Sequence, residues 1–438
     1  MRRVNLGLIG AGTVGGGVYQ AVRHNGSLMS CRLGLSLQIH AVAVRDLKRV
    51  RKVKIPPSLL TTDWEQVVRD PATDIVVELI GGTTLARKVV SEALRLGKPV
   101  VTANKALLSA HGEELFAIAQ RHGGNLYYEA STAGGIPIIK VIREAMVGNR
   151  ITRLYGILNG TCNYILTRMK REGADFNDVL ADAQRLGYAE AEPSLDVDGH
   201  DAAHKTGILA SLAHGFWVKP KQIFTEGIRG ITKVDIEFAA RLGYTIKLLG
   251  IVKCAGVGKS RNDSVQVSVY PALVPDSHVL ASVNDVYNAV FLRGDIVGDT
   301  LYYGRGAGQD ATASAVLSDL GDAALDLKHG SHRRVPAFTA HEQGGRVQPI
   351  EDAISRYYLR LEVVDRPGVL ARIATLLAKS NIGISSVIQP EGQEGRSVPL
   401  ILMIHDASNA SMKKALKAIA GLPIVKAPPT LIRVESFE

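Results

Sequence analysis

The stretch RRVNLGLIGAGTVGGGV, residues 2–18, decides the fold. It begins as a short, mostly apolar strand and ends as the first turns of a helix, with Gly10-Ala-Gly12-Thr-Val-Gly15 at the bend. In that setting Gly10 permits the turn, Gly12 lets a pyrophosphate approach the backbone, and Gly15 packs helix against strand. The N–H groups of a helix start lack partners within the helix and face an anion well. The motif alone is weak evidence; its weight comes from the strands and helices downstream of it. LQIHAVAVRD reads as a second strand, TDWEQVVRD as a helix and TDIVVELIG as a strand. ARKVVSEALRLG then reads as a helix, PVVTANK as a strand, ALLSAHGEELFAIAQRHG as a helix and NLYYEAS as a strand. Buried-type strands alternating with helices imply a parallel, doubly wound sheet with a nucleotide at its first turn. A purely structural turn is the competing reading, and the motif's place at the head of such a series argues against it.

The chain's bulk properties narrow the class. Its 438 residues are too many for one ordinary core, so about two to four domains are expected. Apolar residues at 46% and charged residues at 21% are those of a soluble globular protein. The apolar runs are strand-sized and broken by glycine or charge, so no segment reads as membrane-spanning. The start, MRRVNLGLIG, lacks the apolar stretch of a signal peptide. Cys31, Cys162 and Cys254 lie far apart with no CxxC pair, which argues against a disulfide framework or a zinc site. A reduced, cytoplasmic protein is expected. The net charge of +10 suggests nucleic acid, but the basic residues are dispersed, aromatics are only 5% and no nucleic-acid motif is present. The densest basic cluster is local: Arg45, Lys48, Arg49, Arg51, Lys52 and Lys54. A small phosphorylated ligand explains it better than a DNA backbone.

After STAGGIP the pattern changes. Helical stretches IIKVIREAMVG, CNYILTRMKREG, NDVLADAQRLG and DAAHKTGILASLAHG surround strand-like RLYGILN and SVQVSVYPALV, an α+β pattern. YGRGAGQDATASAVLSDLGDAA opens a further helix, and HGSHRRVPAFTAHEQGGRVQP reads as a linker. The remainder alternates as βαββαβ, from YYLRLEVVDRPG to TLIRVES.

Several residues carry chemistry on this framework. Arg45 and Lys48 follow the second strand, where a guanidinium and an ammonium suit a ribose 2′-phosphate and favour NADP; Asp46 keeps NAD open. Lys105 closes a strand tip, where ligands of open α/β sheets collect, although a surface lysine fits the same position. Gly304-Arg-Gly306-Ala-Gly308 starts a second helix that either closes over a cofactor or merely packs. In YAEAEPSLDVDGHDAAHK, residues 188–205, the carboxylates Glu190, Glu192, Asp196, Asp198 and Asp201 crowd ahead of Lys205. Asp201 and Lys205 are four apart, on one face of a helix. A surface ion pair is the plain reading; a calcium loop lacks its ligand pattern. The chemical reading is a pocket for an ammonium group, with the lysine as proton donor to a carbonyl taking a hydride. In Asn159-Gly160-Thr161-Cys162-Asn163-Tyr164, Cys162 is either a nucleophile or a small residue opening a helix. Thr161 either caps that helix or offers its hydroxyl and N–H to a carboxylate.

In this order, GAGTVG, TANK, NGTCNYI, YAEAEPSLDVDGHDAAHK and GAGQDATA make the chain resemble the homoserine dehydrogenases over essentially its whole length. The resemblance implies an α/β protein: an N-terminal Rossmann-type doubly wound parallel sheet in residues 1–130 for NAD(P), and an α+β substrate-binding and dimerisation domain in 131–305. A helix returning to the nucleotide domain in 306–330, a linker in 331–352 and a C-terminal ACT domain in 353–438 complete it. The implied activity is reduction of L-aspartate 4-semialdehyde to L-homoserine with NADPH or NADH, in the branch toward threonine, methionine and isoleucine. By position, Lys205 resembles the proton donor and acceptor, Asp201 its partner, and Lys105 a second lysine at the reacting centre and cofactor ribose. Glu190 resembles the carboxylate for the substrate ammonium, with Asp196 in the same pocket. Thr13, Val14 and Gly308 match cofactor contacts. A sodium ion held largely by backbone carbonyls is implied at Glu129, Thr132, Gly134 and Ile136. Glu192 departs from the aspartate expected there.

The tail resembles an ACT domain through Asp365-Arg-Pro367-Gly368-Val-Leu370 and Asn381-Ile-Gly383-Ile384. Such domains pair edge to edge and bind amino acids, so threonine inhibition and a homodimer or homotetramer are implied; a dimerisation module without ligand is the alternative. Two rivals remain: an aspartate-semialdehyde dehydrogenase using Cys162 as nucleophile, and an amino-acid-sensing regulator that binds NADP(H) without consuming it.

Overall fold

The computed structural model describes residues 2–254, 264–331, 334–342, 344–391 and 396–437. Residues 332, 333 and 343 of the expected linker lie outside the described residues. The chain divides into two compact units, 1–158 with 203–221 and 287–345, and 159–202 with 222–286 and 346–438.

In the first unit the alternation read from the sequence becomes strand β1 (Arg2–Ile9), helix α1 (Thr13–Leu33), β2 (Leu35–Ala43), β3 (Leu60–Thr61), α2 (Trp64–Arg69), β4 (Ile75–Glu78), α3 (Thr84–Arg95), β5 (Val100–Thr102), α4 (Lys105–His122) and β6 (Leu126–Tyr127). The strands pair in parallel in the order β3-β2-β1-β4-β5-β6. The chain therefore runs outward from β1 to β3 on one side and from β4 to β6 on the other, which makes β1/β4 the topological switch point. Parallel strands are covered on both faces, and all four residues of β4 are buried. Three helix ends have their expected chemistry. Asp63 caps α2, Asn104 caps α4, and Gly123 closes α4 at φ 76°.

Helix Gln309–His329 packs along α1, its Ala313, Val316, Leu320 and Ala324 sharing a core with Val18, Tyr19 and Val22. Small residues at this interface let the two helix backbones come close. An antiparallel three-stranded set, Ile151–Ile157 beside Tyr287–Gly294 beside Gly298–Arg305, completes this unit.

The second unit holds helices Gly160–Glu172, Phe176–Arg185 and Lys233–Arg241, with a long antiparallel pair, Tyr244–Cys254 and Ser264–Pro275. Strand Thr430–Val434 pairs in parallel with the second of these through Ala272↔Arg433 and Leu273↔Val434. On its other side it pairs with Ile354–Val364, which pairs with Ser397–Ser408, which pairs with Ile384–Ile388. Helices Val369–Lys379 and Asn409–Ala420 cover this sheet, giving the βαββαβ order with Ile373, Leu377, Met412 and Ile419 in its core. Arg433 ties the module down: it lies 4.5 Å from the Tyr270 ring centroid and donates to Glu226 at 2.7 Å and Asn409 at 2.8 Å.

Candidate active site

Register brings the first cluster of candidate residues together. Ile9 pairs with Ala43 and with Glu78, and Glu78 with Thr102. The segments leaving these strands at one edge carry Gly10–Gly12, Arg45, Gly81–Gly82 and Lys105, at the carboxyl ends of an open parallel sheet.

The fingerprint glycines divide the labour as the motif demands. Gly10 has φ +106°, and a Cβ there would lie 2.7 Å from the Leu79 carbonyl oxygen. A Cβ on Gly15 would sit 2.1 Å from the Gly10 carbonyl oxygen, so only glycine lets α1 start against the turn. A Cβ on Gly12 would meet nothing within 4 Å. No side chain caps α1, so the N–H groups of Thr13 and Val14 stand at an uncapped helix start beside open space. These residues fit a dinucleotide's pyrophosphate. Gly308, with φ +114° and open space at its Cβ position, caps the helix Gln309–His329. The Gln309 side chain would be 2.6 Å from a Cβ on Gly17, which puts the second glycine-rich turn beside the first turns of α1.

Arg45 and Lys48 are exposed just past β2, where the Lys48 N–H donates to the Asp46 carboxylate at 2.8 Å. Asp46 thus folds the loop on itself, with Arg45 and Lys48 both exposed beside it. Lys105 is the first residue of α4 and is set by a buried network that the sequence reading missed. The fully buried Glu78 accepts from Thr102 Oγ1 at 2.6 Å and from the N–H groups of Ile80 and Gly81 at 2.9 and 3.3 Å. Burial raises the Glu78 carboxyl above its ordinary range, against these hydrogen bonds. Thr102 Oγ1 accepts from the Asn104 N–H at 3.1 Å, while Asn104 caps α4 and donates to the Gly82 carbonyl at 2.7 Å. A buried glutamate at a strand end beside a Gly-Gly loop was the available signal.

The acidic stretch is sorted by the fold. Asp198 pairs with Arg229 through Nε at 2.5 Å, and Glu192 accepts from the Ser194 N–H at 3.2 Å at the start of the short helix Ser194–Val197. Two of the crowded carboxylates are therefore engaged locally. Glu190 is exposed. Asp196 and Asp201 both accept from the Asn159 amide, at 2.7 and 2.9 Å. Asp201 is 4% exposed and sits in the first turn of helix His200–His214, which carries Lys205 one turn later. Lys205, 7% exposed, donates to the Leu158 carbonyl at 2.7 Å. A lysine this buried is no solvated surface cation.

On the neighbouring helix the fold decides between the readings left open for Thr161 and Cys162. Thr161 does not cap Gly160–Glu172: Asn159 does, accepting from the Cys162 N–H at 2.8 Å. An N-cap residue must precede the first helical turn, and Thr161 is already inside it. Its hydroxyl instead donates to the Tyr188 carbonyl at 2.7 Å and holds the head of the acidic stretch. Cys162 is fully buried with Sγ 3.2 Å from the Asp196 carbonyl oxygen, the environment of a packed residue rather than a thiolate nucleophile.

At Glu129–Ile136, Ala133 and Gly134 both have left-handed backbone, with φ 56° and 49°. The Glu129 carboxylate accepts from the Ile139 and Lys140 N–H groups at 2.8 Å each, and burial pushes it up to about 7. Thr132 Oγ1 is buried without a hydrogen-bond partner. Among the described residues no three His, Cys, Asp or Glu side chains group to hold a metal ion. At this turn the orphaned Thr132 hydroxyl suits the role of a ligating oxygen.

Residues 10–129 match the homoserine dehydrogenase NAD-binding domain, residues 137–320 the homoserine dehydrogenase catalytic family, and residues 357–423 the ACT domain. A homoserine dehydrogenase of Pseudomonas aeruginosa is 44% identical over the full length of both chains. A crystal structure of a homoserine dehydrogenase from Thiobacillus denitrificans superposes with a TM-score of 0.92 at 43% identity, covering 100% of this chain and 99% of that one. A hyperthermophilic archaeal homoserine dehydrogenase solved in complex with NADPH superposes at 0.61 with 25% identity, covering 74% of this chain and 98% of that one. The doubly wound nucleotide sheet, the buried aspartate–lysine helix and the ACT module agree with these matches: the chain belongs to the homoserine dehydrogenase family, NAD(P)-dependent oxidoreductases acting on a CH–OH group.

Proposed function

We propose that this chain interconverts L-aspartate 4-semialdehyde and L-homoserine, with NADPH preferred, in the supply of threonine, methionine and isoleucine. The observation that carries the reading is Lys205: an amine 7% exposed, held to a backbone carbonyl, one helical turn beyond the buried Asp201. A dinucleotide held by its pyrophosphate at Gly10, Gly12, Thr13 and Val14 would supply or take the hydride. Lys205 gives a proton to the substrate oxygen in reduction and takes it back in oxidation. Asp201 orients that amine, and Lys105 is the second amine at the reacting centre and at the cofactor ribose. Glu190 and Asp196 receive the substrate ammonium. Thr161, its hydroxyl spent on Tyr188, offers the substrate carboxylate its backbone N–H.

Gly10, Gly12, Thr13, Val14, Gly15 and Gly308 form the cofactor cradle, and Arg45 and Lys48 take the 2′-phosphate. The exposed basic loop supports NADP, as does the archaeal relative solved with NADPH. A sodium ion at the carbonyls of Glu129, Thr132, Gly134 and Ile136 would brace that turn; the orphaned Thr132 hydroxyl supports it. We assign residues 1–130, 131–305, 306–330, 331–352 and 353–438 to nucleotide, substrate and dimerisation, return-helix, linker and ACT segments. The ACT module would take an amino-acid effector, threonine first, and join copies of the chain as a dimer or tetramer. No helix among the described residues is long and apolar enough to cross a membrane; the enzyme of this reading would work in the cytoplasm.

The test is absorbance at the nicotinamide band with aspartate semialdehyde, using NADPH and NADH in turn, with and without threonine. Consumption of NADPH bears out the reading. Binding without consumption sinks it.

A further inference from the structure

The side chain of Asn159 makes three hydrogen bonds. Oδ1 accepts from the Cys162 N–H at 2.8 Å, which fixes the orientation of the amide. Its two N–H bonds then point at two different carboxylates, Asp196 at 2.7 Å and Asp201 at 2.9 Å. The residue is 4% exposed, so water does not replace these bonds cheaply. The next residue holds the turn in place: a Cβ on Gly160 would sit 2.9 Å from the Val286 carbonyl oxygen. The cap is therefore pinned, and the amide with it.

We infer that Asn159 is a positioning residue of the substrate site, its one amide fixing Asp196 and Asp201 together as hydrogen-bonded carboxylates. The chemistry of the position favours an amide over its alternatives. Two carboxylates held near each other repel or share a proton unless donors separate them. A lysine or arginine would separate them, but would bring a cation into a pocket meant for a substrate ammonium. A serine or threonine would cap the helix equally well and satisfy only one carboxylate, because a hydroxyl has one hydrogen. Asparagine alone caps, donates twice and stays neutral. Asp196 belongs to the substrate ammonium and Asp201 to Lys205, so loss of the amide reaches both substrate affinity and turnover. The inference rests on the proposed activity for those two roles.

The experiment uses the full-length protein and three substitutions. Asn159→Ser keeps the cap and removes the bridge. It should lower kcat and raise KM for aspartate semialdehyde, with kcat/KM down roughly 10- to 100-fold, as expected for lost hydrogen bonds to charged groups. The dissociation constant for NADPH should stay at the wild-type value. Placed on an Asp201→Asn background, Asn159→Ser should cost several-fold less than it does alone, because residues in one network are not additive. Asn159→Asp keeps the capping oxygen but presents a third carboxylate, and should fall at least as far as the serine variant. Wild-type kinetics in Asn159→Ser, fully additive costs in the double variant, or loss of folded structure in both Asn159 variants would each overturn the inference. Wild-type turnover is measured alongside, so failure of the activity itself would be seen separately.

Discussion

Substituting the two glycines Gly12 and Gly15 separates cofactor binding from folding. In Gly15→Ala the new methyl would stand 2.1 Å from the Gly10 carbonyl oxygen and 2.9 Å from its carbon. Ordinary contact is about 3.5 Å, so the start of α1 must retreat by roughly 1.4 Å. Neither atom of that clash can swing away, because both are backbone, and the overpacking costs about 1–3 kcal/mol. The same retreat pulls the helix-start N–H groups off the pyrophosphate position. Gly12→Ala is the control. At φ −75° and ψ −153° any residue fits, and nothing lies within 4 Å of the new methyl, so the apo fold should change by less than about 0.5 kcal/mol. The methyl does fill the space through which the pyrophosphate approaches, and NADPH affinity should drop at least tenfold, about 1.4 kcal/mol. Thermal melts of the apo proteins and fluorescence titration with NADPH read the two effects apart. Gly12→Ala binding NADPH as tightly as wild type would refute the placement of the cofactor.

Other outcomes depend on single groups. Arg45→Ala should raise KM for NADPH about tenfold and leave KM for NADH unchanged, the mark of a lost 2′-phosphate contact worth about 1.4 kcal/mol. Glu78→Ala strips the acceptor from Thr102, Ile80 and Gly81, and should lower stability by roughly 1–3 kcal/mol for each donor left buried; Glu78→Gln, which keeps an oxygen, should lose less in a urea melt. His214 is held down to about 4 by burial, with His341 adding to it. An unfolded chain takes up that proton near pH 6.5, so folded stability falls as pH drops from about 6.5 to 4, by up to about 3 kcal/mol. In His214→Leu the urea midpoint should fall less over the same window.

Local patterns with one solution were legible in the sequence. The glycine spacing at residues 10–15, read with the strands around it, located the nucleotide sheet, and the four-residue spacing put Asp201 and Lys205 on one helix. The order of elements in the tail located a βαββαβ module, and residues 365–370 with 381–384 carried its resemblance to an ACT domain. What stayed hidden depends on groups distant in sequence. IIKVIREAMVG reads as one helix, but the chain forms a short α-helical turn, Ile138–Lys140, followed by a π-turn, Val141–Ala145. Its first N–H groups are taken by Glu129, about ten residues back. Asn159 looks like a simple cap in the sequence, since nothing local says that its amide meets Asp196 and Asp201. The five carboxylates before Lys205 look alike until Arg229, some thirty residues on, claims Asp198.

Turnover of a Lys205→Met variant is the most direct test of the account. Methionine keeps most of the buried volume and removes the transferable proton. The account predicts a rate of aspartate-semialdehyde reduction lowered about 100-fold or more, the usual share of a general acid, with NADPH bound as in wild type. A variant that reduces the aldehyde at the wild-type rate would contradict it.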